Sequence, residues 1–155
     1  MNKYETAMKI LEDCHGSGKD NLIALATMTL PDGEGKTRST VRMVDAYYED
    51  GAFYVSTYAK GNKARQIERN DEVSVASTDW FTGQGKAVNL GWVKDEKNAD
   101  ILAKMKKNFA GWFNDHGNED SPDSIAIKIT LTNGVVIKDH GAERYEVDFI
   151  NKEAK

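Results

Sequence analysis

Short segments rich in strand-forming residues and joined by tight turns constrain the fold of this chain more than any other feature. The run NLIALATMTL is one such segment, and the Asp-Gly pair in PDGEGK after it favours a reversal between antiparallel strands. TRSTVRMVDAYY then turns at EDG into AFYVSTY, which predicts a meander of three strands. Adjacent strands with such short connections are typical of an antiparallel sheet.

The remaining segments add helices and further strands. Apolar residues at helical spacing predict a helix over residues 3–14, a short helix ending at Asn70 and a third helix over residues 96–113. DEVSVAST and GKAVNLGWVK predict two strands separated by the loop DWFTGQ. After these come a strand SIAIKITLT, a tight hairpin at Asn133 and Gly134, a strand VVIKD and a last strand ERYEVDF. Six or more antiparallel strands in so short a chain favour a closed or nearly closed barrel with helices at its edges.

Length and charge limit the organisation and the partners of the chain. Its 155 residues suit one domain, residues 1–155, because two separate cores would leave each half marginally stable. A net charge of -4 argues against broad capture of nucleic acid or of an anionic membrane, and no apolar run approaches a membrane span. The charged start is not a signal peptide, and the single cysteine, Cys14, is interpreted as a buried helix residue. We therefore expect a cytoplasmic protein without nucleic-acid or membrane partners.

The segment TYAKGNKARQIERN, residues 57–70, places cations where the positive end of a helix dipole already lies. With Asn62 as the N-cap, Lys63 falls in the first turn, where an exposed cation costs about 0.3 to 1 kcal/mol. Free backbone N–H groups there, together with the Thr57 hydroxyl and the Lys63 ammonium, suit a phosphate group. The alternative is a solvated surface helix whose charges are partly balanced by nearby acidic residues.

A second unusual cation is Arg42, which STVRMVDA places in mid-strand on the same face as Thr40 and Val44. One interpretation is a solvent-facing arginine, which half-exposed antiparallel strands often carry. The other is that the hairpin through EDG brings Arg42 beside the strand ending at Thr57, so that both residues face one anion. In that case the two features belong to one site.

Other motifs give weaker signals. GEGK and GQGK contain phosphate-loop residues without phosphate-loop spacing, and we interpret both as hairpin loops. His15, His116 and His140 are far apart and have no cysteine or carboxylate at ligand spacing, so no metal site is predicted. No GxSxG nucleophile motif is present, and no catalytic residue is assigned.

The run STVRMVDAYYEDGAFYVSTYAKGNKARQIERNDEVSVA resembles the flavin-binding half of the pyridoxamine 5'-phosphate oxidase-like superfamily, the FMN-binding split barrels, and within it the general-stress-protein-like branch. The resemblance extends from the amphipathic helix before the first strand to the strand that contains Gly91. It implies an α+β fold, a mostly antiparallel six-stranded split β-barrel with flanking helices, as a single FMN-binding domain. It also implies a homodimer with FMN at the subunit interface.

The resemblance assigns roles by position. Arg42 matches an arginine that contacts the FMN phosphate on a strand whose backbone lines the isoalloxazine ring. Thr57 and, six positions later, Lys63 match two further phosphate ligands. The implied cofactor-binding residues are Arg42, Met43, Val44, Thr57, Tyr58, Asn62, Lys63 and Lys86.

Three positions depart from the family pattern. Asn62 stands where the oxidase has an additional phosphate-binding arginine. Lys86, or Gln84 nearby, falls where the family has a glutamine that reaches the flavin from the partner subunit. The arginine and histidine that grip the substrate phosphate of the oxidase have no match, because His140 and Arg144 have the wrong spacing. Pyridoxal phosphate synthesis is therefore not predicted.

The implied function is an FMN-dependent oxidoreductase acting on a small organic molecule, with reduced nicotinamide or oxygen as the redox partner. One alternative is a non-catalytic protein that binds or senses flavin at the same site. Another is a small β-barrel that binds a different anionic ligand, such as haem.

Overall fold

The computed structural model describes residues 1–155. The helices are α1 Lys3–His15, α2 Asn62–Arg69, α3 Ala99–Asn108 and α4 Phe113–His116, with short 3-10 turns at Glu96–Asn98 and Asp139–Gly141. The strands are β1 Asn21–Met28, β2 Ser39–Glu49, β3 Ala52–Tyr58, β4 Glu72–Ser77, β5 Phe81–Trp92, β6 Ser124–Lys138, β7 Glu143–Asp148 and β8 Glu153–Ala154. None of the helices combines the length and the apolar character that crossing a membrane requires.

The first six strands form a closed antiparallel barrel. Their hydrogen-bonded order is β3-β2-β1-β4-β5-β6, and β6 pairs back onto β3 to close the barrel. Strands β7 and β8 extend the sheet from β6. The prediction of an α+β fold, a six-stranded split β-barrel with flanking helices, is confirmed.

The barrel interior is filled by alternate residues of each strand. On β1, for example, Ile23 and Leu25 are fully buried while their neighbours face outward. The amphipathic helix α1 packs on this core through Ala7 and Leu11, which are also fully buried. The main core contains 23 buried residues, so this cluster holds most of the apolar interior.

Strand β2 is longer than its pairing with β3, and this difference creates the site described below. Residues 47–49 of β2 pair with β3, whereas residues 39–46 pair with β1. Helix α2 follows β3 and buries Ala64, Gln66 and Ile67 against the barrel. On the first half of β2, which has no β3 neighbour, Arg42 reaches Gln66 of α2.

Two predicted turns are wrong, because both regions are continuous strand. Strand β5 begins at Phe81, so most of the predicted loop 79–84 lies in the sheet, and GQGK pairs with both neighbouring strands. Strand β6 runs without interruption through Asn133 and Gly134. A Cβ atom at Gly83 would lie 2.7 Å from the Phe81 ring, and one at Gly134 would lie 2.9 Å from it. These glycines make room for a buried aromatic ring instead of forming turns.

The predicted helix over residues 96–113 is divided into a 3-10 turn, α3 and α4. Helix α3 ends at Asn108, and Phe109 caps it in a non-helical conformation just before Gly111. The apolar residues of the predicted helical face nevertheless pack together on the outer side of β2 and β3. This second core contains the buried residues Tyr47, Val93, Met105, Phe109, Phe113 and Ala126.

Candidate functional site

Arg42 lies on β2 with its guanidinium held by neutral acceptors. Its Nη1 donates to the Leu25 carbonyl at 3.2 Å and to Thr27 Oγ1 at 2.7 Å, and its Nη2 donates to Gln66 Oε1 at 3.0 Å. Thr27 and Gln66 are both buried, and Thr27 Oγ1 donates to Gln66 Oε1 at 2.6 Å. A guanidinium has five N–H donors, so these three bonds leave two donors for a ligand.

Lys63 lies in the first turn of α2 and reaches back to β3. Its Nζ donates to Thr57 Oγ1 at 2.8 Å. Burial lowers the pKa of Lys63, and the positive charge of Arg42 lowers it further. Burial also lowers the pKa of Arg42. The two cations therefore lie close enough to repel each other in a partly desolvated place.

No acidic side chain compensates these two charges. Neither Arg42 nor Lys63 takes part in any ion pair of the chain, and the first turn of α2 contains no acidic residue. Gly61, not Asn62 as predicted, is the N-cap of α2, and no side chain caps the helix. The N–H groups of the first turn are thus free to bind a ligand. We call this group, Arg42, Thr57, Lys63 and the first turn of α2, the cationic pocket.

The cationic pocket has the chemistry of an anion site. It combines two cations, a hydroxyl and a helix N-terminus, which are the donors that proteins use to bind phosphate groups. The sequence predicts that Arg42, Thr57 and Lys63 lie close together, and in the structure Lys63 lies beside both Thr57 and Arg42.

The remaining predicted cofactor-binding residues of β2 and β3 differ in the face that they occupy. Val44 is buried inside the barrel and pairs with Ile23, so its side chain is not accessible to a ligand. Met43 and Tyr58 have side chains 53% and 54% exposed. Both side chains are therefore accessible to a ligand or to a second protein chain.

Asn62 and Lys86 lie at different distances from the cationic pocket. Asn62 is the exposed first residue of α2, next to Lys63. Lys86 lies on β5, which β1 and β4 separate from β2, and its Nζ forms an ion pair with Glu72 at 3.7 Å. The structure thus places Asn62 at the pocket and Lys86 outside it, and a contact between Lys86 and the flavin of a partner subunit stays a prediction.

A cavity of about 320 Å³ adjoins the pocket. Thr57 and Tyr58 line it from β3, and Trp112 and His116 line it from α4 and the residue before it. The Trp112 ring stacks on Phe109, with ring centroids 5.0 Å apart. An aromatic wall therefore faces a polar strand, an arrangement that suits a planar ligand with polar substituents.

Two residues that orient Arg42 were not predicted from the sequence. Thr27 follows the buried apolar residues Ile23 and Leu25 on the inward face of β1, and this polar residue is a usable signal. Gln66 lies three residues after Lys63 on the buried face of α2, where an amide needs a hydrogen-bonding partner. Both signals indicate a buried polar contact, although neither identifies Arg42 as the partner.

The fold and the site together define a split-barrel protein with an uncompensated cationic pocket at a helix N-terminus. The chain belongs to the pyridoxamine 5'-phosphate oxidase family, because the sequence model of that family matches residues 16–137, more than half of the chain. This confirms the resemblance found in the sequence. No curated protein matches the chain.

Several solved structures share the fold at low sequence identity. General stress protein 26 from Bacillus anthracis str. Sterne matches with a TM-score of 0.61 and 18% identity, covering 86% of this chain and 92% of that chain. A FAD-binding protein from Mesorhizobium loti matches with a TM-score of 0.55 and 17% identity, covering 86% and 92%. A heme binding protein from Mycobacterium smegmatis matches with a TM-score of 0.63 and 16% identity, covering 96% and 59%. At such identities the similarity shows the fold alone.

Proposed function

We propose that the chain is an FMN-binding flavoprotein whose cationic pocket holds the phosphate group of FMN. One observation carries the proposal: Arg42 and Lys63 are neighbouring, partly buried cations with no acidic partner. Such an arrangement is unfavourable until an anion supplies the missing charge. The heme-binding and FAD-binding neighbours of the same fold bind ligands of two kinds, so the identity of the ligand rests on the chemistry of this pocket.

The donors that remain free in the pocket fit a phosphate group. Arg42 keeps two N–H donors, and the Lys63 ammonium keeps two of its three after its bond to Thr57. The uncapped first turn of α2 adds backbone N–H groups. Met43, Val44, Tyr58 and Asn62 are the residues we assign to the rest of the flavin. Bound FMN would supply two-electron transfer chemistry, while the residues of the chain bind and orient it.

A homodimer is part of the proposal, and the outer face of β1 and β2 supports it. Leu22, Val41 and Met43 lie on this face and are 56%, 65% and 53% exposed. A contiguous apolar surface of this kind usually marks an interaction site. A second copy of the chain would cover it, and Lys86 is the residue we assign to the flavin of the partner. A monomeric mass in sedimentation experiments would contradict this part of the proposal.

The proposed reaction is the oxidation or reduction of a small organic molecule, with reduced nicotinamide or oxygen as the redox partner. The cavity beside the pocket, lined by Trp112 and His116, is the place we assign to the substrate. The single cysteine, which is partly buried, is compatible with the proposed cytoplasmic location.

The test compares FMN with riboflavin, since the two differ in the phosphate alone. We expect the purified protein to show a flavin absorption spectrum and to bind FMN more tightly than riboflavin. Lys63→Ala or Arg42→Ala removes a charged hydrogen bond worth about 1.5 to 3 kcal/mol, which weakens FMN binding about tenfold to a hundredfold. Riboflavin binding should change much less. Arg69→Ala removes the same charge from the exposed other end of α2 and should leave both ligands unaffected.

Each alternative gives a different result. Equal losses for FMN and riboflavin would refute the phosphate assignment, and failure to bind any flavin would refute the proposed cofactor. A Soret band would indicate haem instead. If the flavin-loaded protein consumes neither reduced nicotinamide nor oxygen with any small molecule tested, it is a flavin carrier or sensor instead of an enzyme.

A further inference from the structure

The imidazole of His15, the last residue of α1, closes one end of the barrel. Its side chain is 1% exposed and lies between two hairpins, β2–β3 and β4–β5, which β1 and β6 separate in the barrel. Tyr48 pairs with Phe53 across the first hairpin, and Ser77 pairs with Phe81 across the second. The imidazole centroid lies 6.3, 5.7 and 6.2 Å from the ring centroids of Tyr48, Phe53 and Phe81. Its Nε2 lies 2.8 Å from Ser77 Oγ, so this one side chain meets four strands.

The backbone at the end of α1 is fixed to the same end of the barrel. The amide Nδ2 of Asn21, a buried residue of β1, donates to the His15 carbonyl at 2.9 Å. It also donates to the Ala46 carbonyl of β2 at 3.1 Å. The position of the imidazole is therefore determined by both its backbone and its side chain.

Only one of the two ring nitrogens of His15 has a hydrogen-bonding partner. Ser77 Oγ is the partner of Nε2, whereas Nδ1 is buried and has none. The Tyr48 hydroxyl accepts from the Gly51 N–H at 3.1 Å and makes no bond to the imidazole. A neutral imidazole carries one N–H group, and a protonated one carries two. Protonation would therefore leave a buried cation with an unsatisfied N–H group, which is costly inside a protein.

The charged groups around His15 are exposed and make no hydrogen bond to it. Glu12 on α1 and Asp79 after β4 favour the protonated ring, and Lys19 after α1 opposes it. All three are exposed to water, which screens their charges, and Lys19 Nζ donates to the carbonyls of residues 13 and 14. Burial is the largest effect, and it lowers the pKa of His15 below its ordinary value of 6.5.

The other groups packed around His15 carry no charge near neutral pH. Cys14, beside it on α1, is a thiol whose pKa is raised by burial. Burial also raises the pKa of Tyr48 to about 12. The strands β3 and β5 present phenylalanine rings, and β4 presents the Ser77 hydroxyl. None of these groups supplies a negative charge that would stabilise an imidazolium.

We propose that His15 is an acid-sensitive plug, which closes this end of the barrel only while its imidazole is neutral. The neutral ring fills the space between Phe53 and Phe81 and keeps its hydrogen bond to Ser77. When it takes up a proton, the ring leaves this place for water, and α1 loses its attachment to the four strands. A surface cavity of about 510 Å³, which His15 and Ser77 line, lets water reach the ring. The plug does not depend on a flavin and is testable in the ligand-free protein.

The first experiment follows the ring signals of His15 in long-range ¹H–¹⁵N NMR spectra of the ligand-free protein between pH 7.5 and pH 5. We expect the ring to be neutral at pH 6.5, where an unperturbed histidine is half protonated. Nuclear Overhauser contacts from His15 to the Phe53 and Phe81 rings should be present at pH 7.5 and disappear as the ring takes up a proton. Half protonation at pH 6.5, or contacts that persist in the protonated ring, would overturn the plug.

Urea denaturation is an independent test, with His15→Gln as the variant, because its uncharged amide can still bond to Ser77. The stability that the neutral ring contributes is present above pH 6.5 and lost as the pH falls below it, since the unfolded chain takes up the proton first. The unfolding constant of the unmodified protein, divided by that of the variant, should rise about tenfold between pH 7.5 and pH 5.5.

The control is His140→Asn, which removes an exposed histidine at a left-handed backbone position that asparagine also adopts. It should keep the pH dependence of the unmodified protein. A ratio for His15→Gln that is the same at pH 7.5 and pH 5.5 would show that the folded protein accepts the proton at His15 without cost, and would refute the plug. If His15→Gln does not fold, the NMR titration of the unmodified protein decides the question.

Discussion

Replacement of Thr27 by valine tests whether the buried hydroxyl orients Arg42. Valine keeps the branched shape, so the substitution removes the two hydrogen bonds of Oγ1 and little else. The hydroxyl accepts from Arg42 Nη1 at 2.7 Å and donates to Gln66 Oε1 at 2.6 Å. A bond to a charged group contributes about 1.5 to 3 kcal/mol and a neutral bond about 0.5 to 1.5 kcal/mol. Since Nη1 keeps the Leu25 carbonyl and Oε1 keeps Arg42 Nη2, we expect a loss of about 2 to 3 kcal/mol in the free energy of unfolding.

Urea denaturation measures this loss directly, and for a chain of this size it corresponds to a fall in Tm of about 4 to 12 °C. Thr40→Val is the matched control, because Thr40 pairs with Thr27 across the strands but its hydroxyl makes no hydrogen bond within the chain. The control should change stability by less than about 0.5 kcal/mol. Thr27→Val should also weaken FMN binding more than riboflavin binding. If Thr27→Val and Thr40→Val are equally stable, Arg42 is not held by this hydroxyl.

Two further substitutions test packing and charge. Gly85→Ala places a Cβ atom 2.5 Å from the Thr130 carbonyl oxygen, so β5 and β6 must separate. Urea denaturation should show a loss of about 1 to 3 kcal/mol in the free energy of unfolding. Gly111→Ala is the control, because its Cβ atom meets no atom within 4 Å, and equal stabilities of the two variants would contradict this packing. The pKa of Asp45 is raised from 3.8 to about 6 on folding, so the stability that the protonated form contributes is present below pH 3.8 and lost as the pH rises through about 6. In urea denaturation, Asp45→Asn should therefore have the same free energy of unfolding as the unmodified protein near pH 4 and a higher one at pH 8. If the two proteins differ by the same amount at both pH values, the raised pKa is contradicted.

The sequence predicted the elements whose pattern is local. Helix α1, the first three strands and α2 lie within a few residues of their predicted bounds, because periodicity and turn residues determine them without reference to the rest of the chain. The glycines at 83 and 134 were misinterpreted because their role depends on the pairing of β5 with β6, which brings Gly83 and Gly134 together beside the Phe81 ring. A glycine that admits a ring and a glycine that forms a turn look the same in sequence.

The distinction between local patterns and contacts of distant residues also applies to the candidate site. Thr57 and Lys63 were found because their spacing of six residues is short, and Arg42 because a charged residue in mid-strand is conspicuous. Asp20 and Trp112 are separated by 92 residues, so no local pattern connects them. Their contact arises from the packing of α3 and α4 on the outer face of the barrel, and the break after Asn108 determines where Trp112 lies.

The chemistry of residue 66 explains how the chain can orient Arg42 without neutralising it. Gln66 accepts a hydrogen bond from the guanidinium while carrying no charge, as do Thr27 and the Leu25 carbonyl. A glutamate at position 66 would form an ion pair with Arg42, beside Lys63, and would stabilise the pocket in the absence of a ligand. It would also repel an incoming phosphate. The neutral acceptors therefore fix the geometry of the cation and leave its charge available, which is the combination that an anion-binding site needs and a purely structural arginine does not.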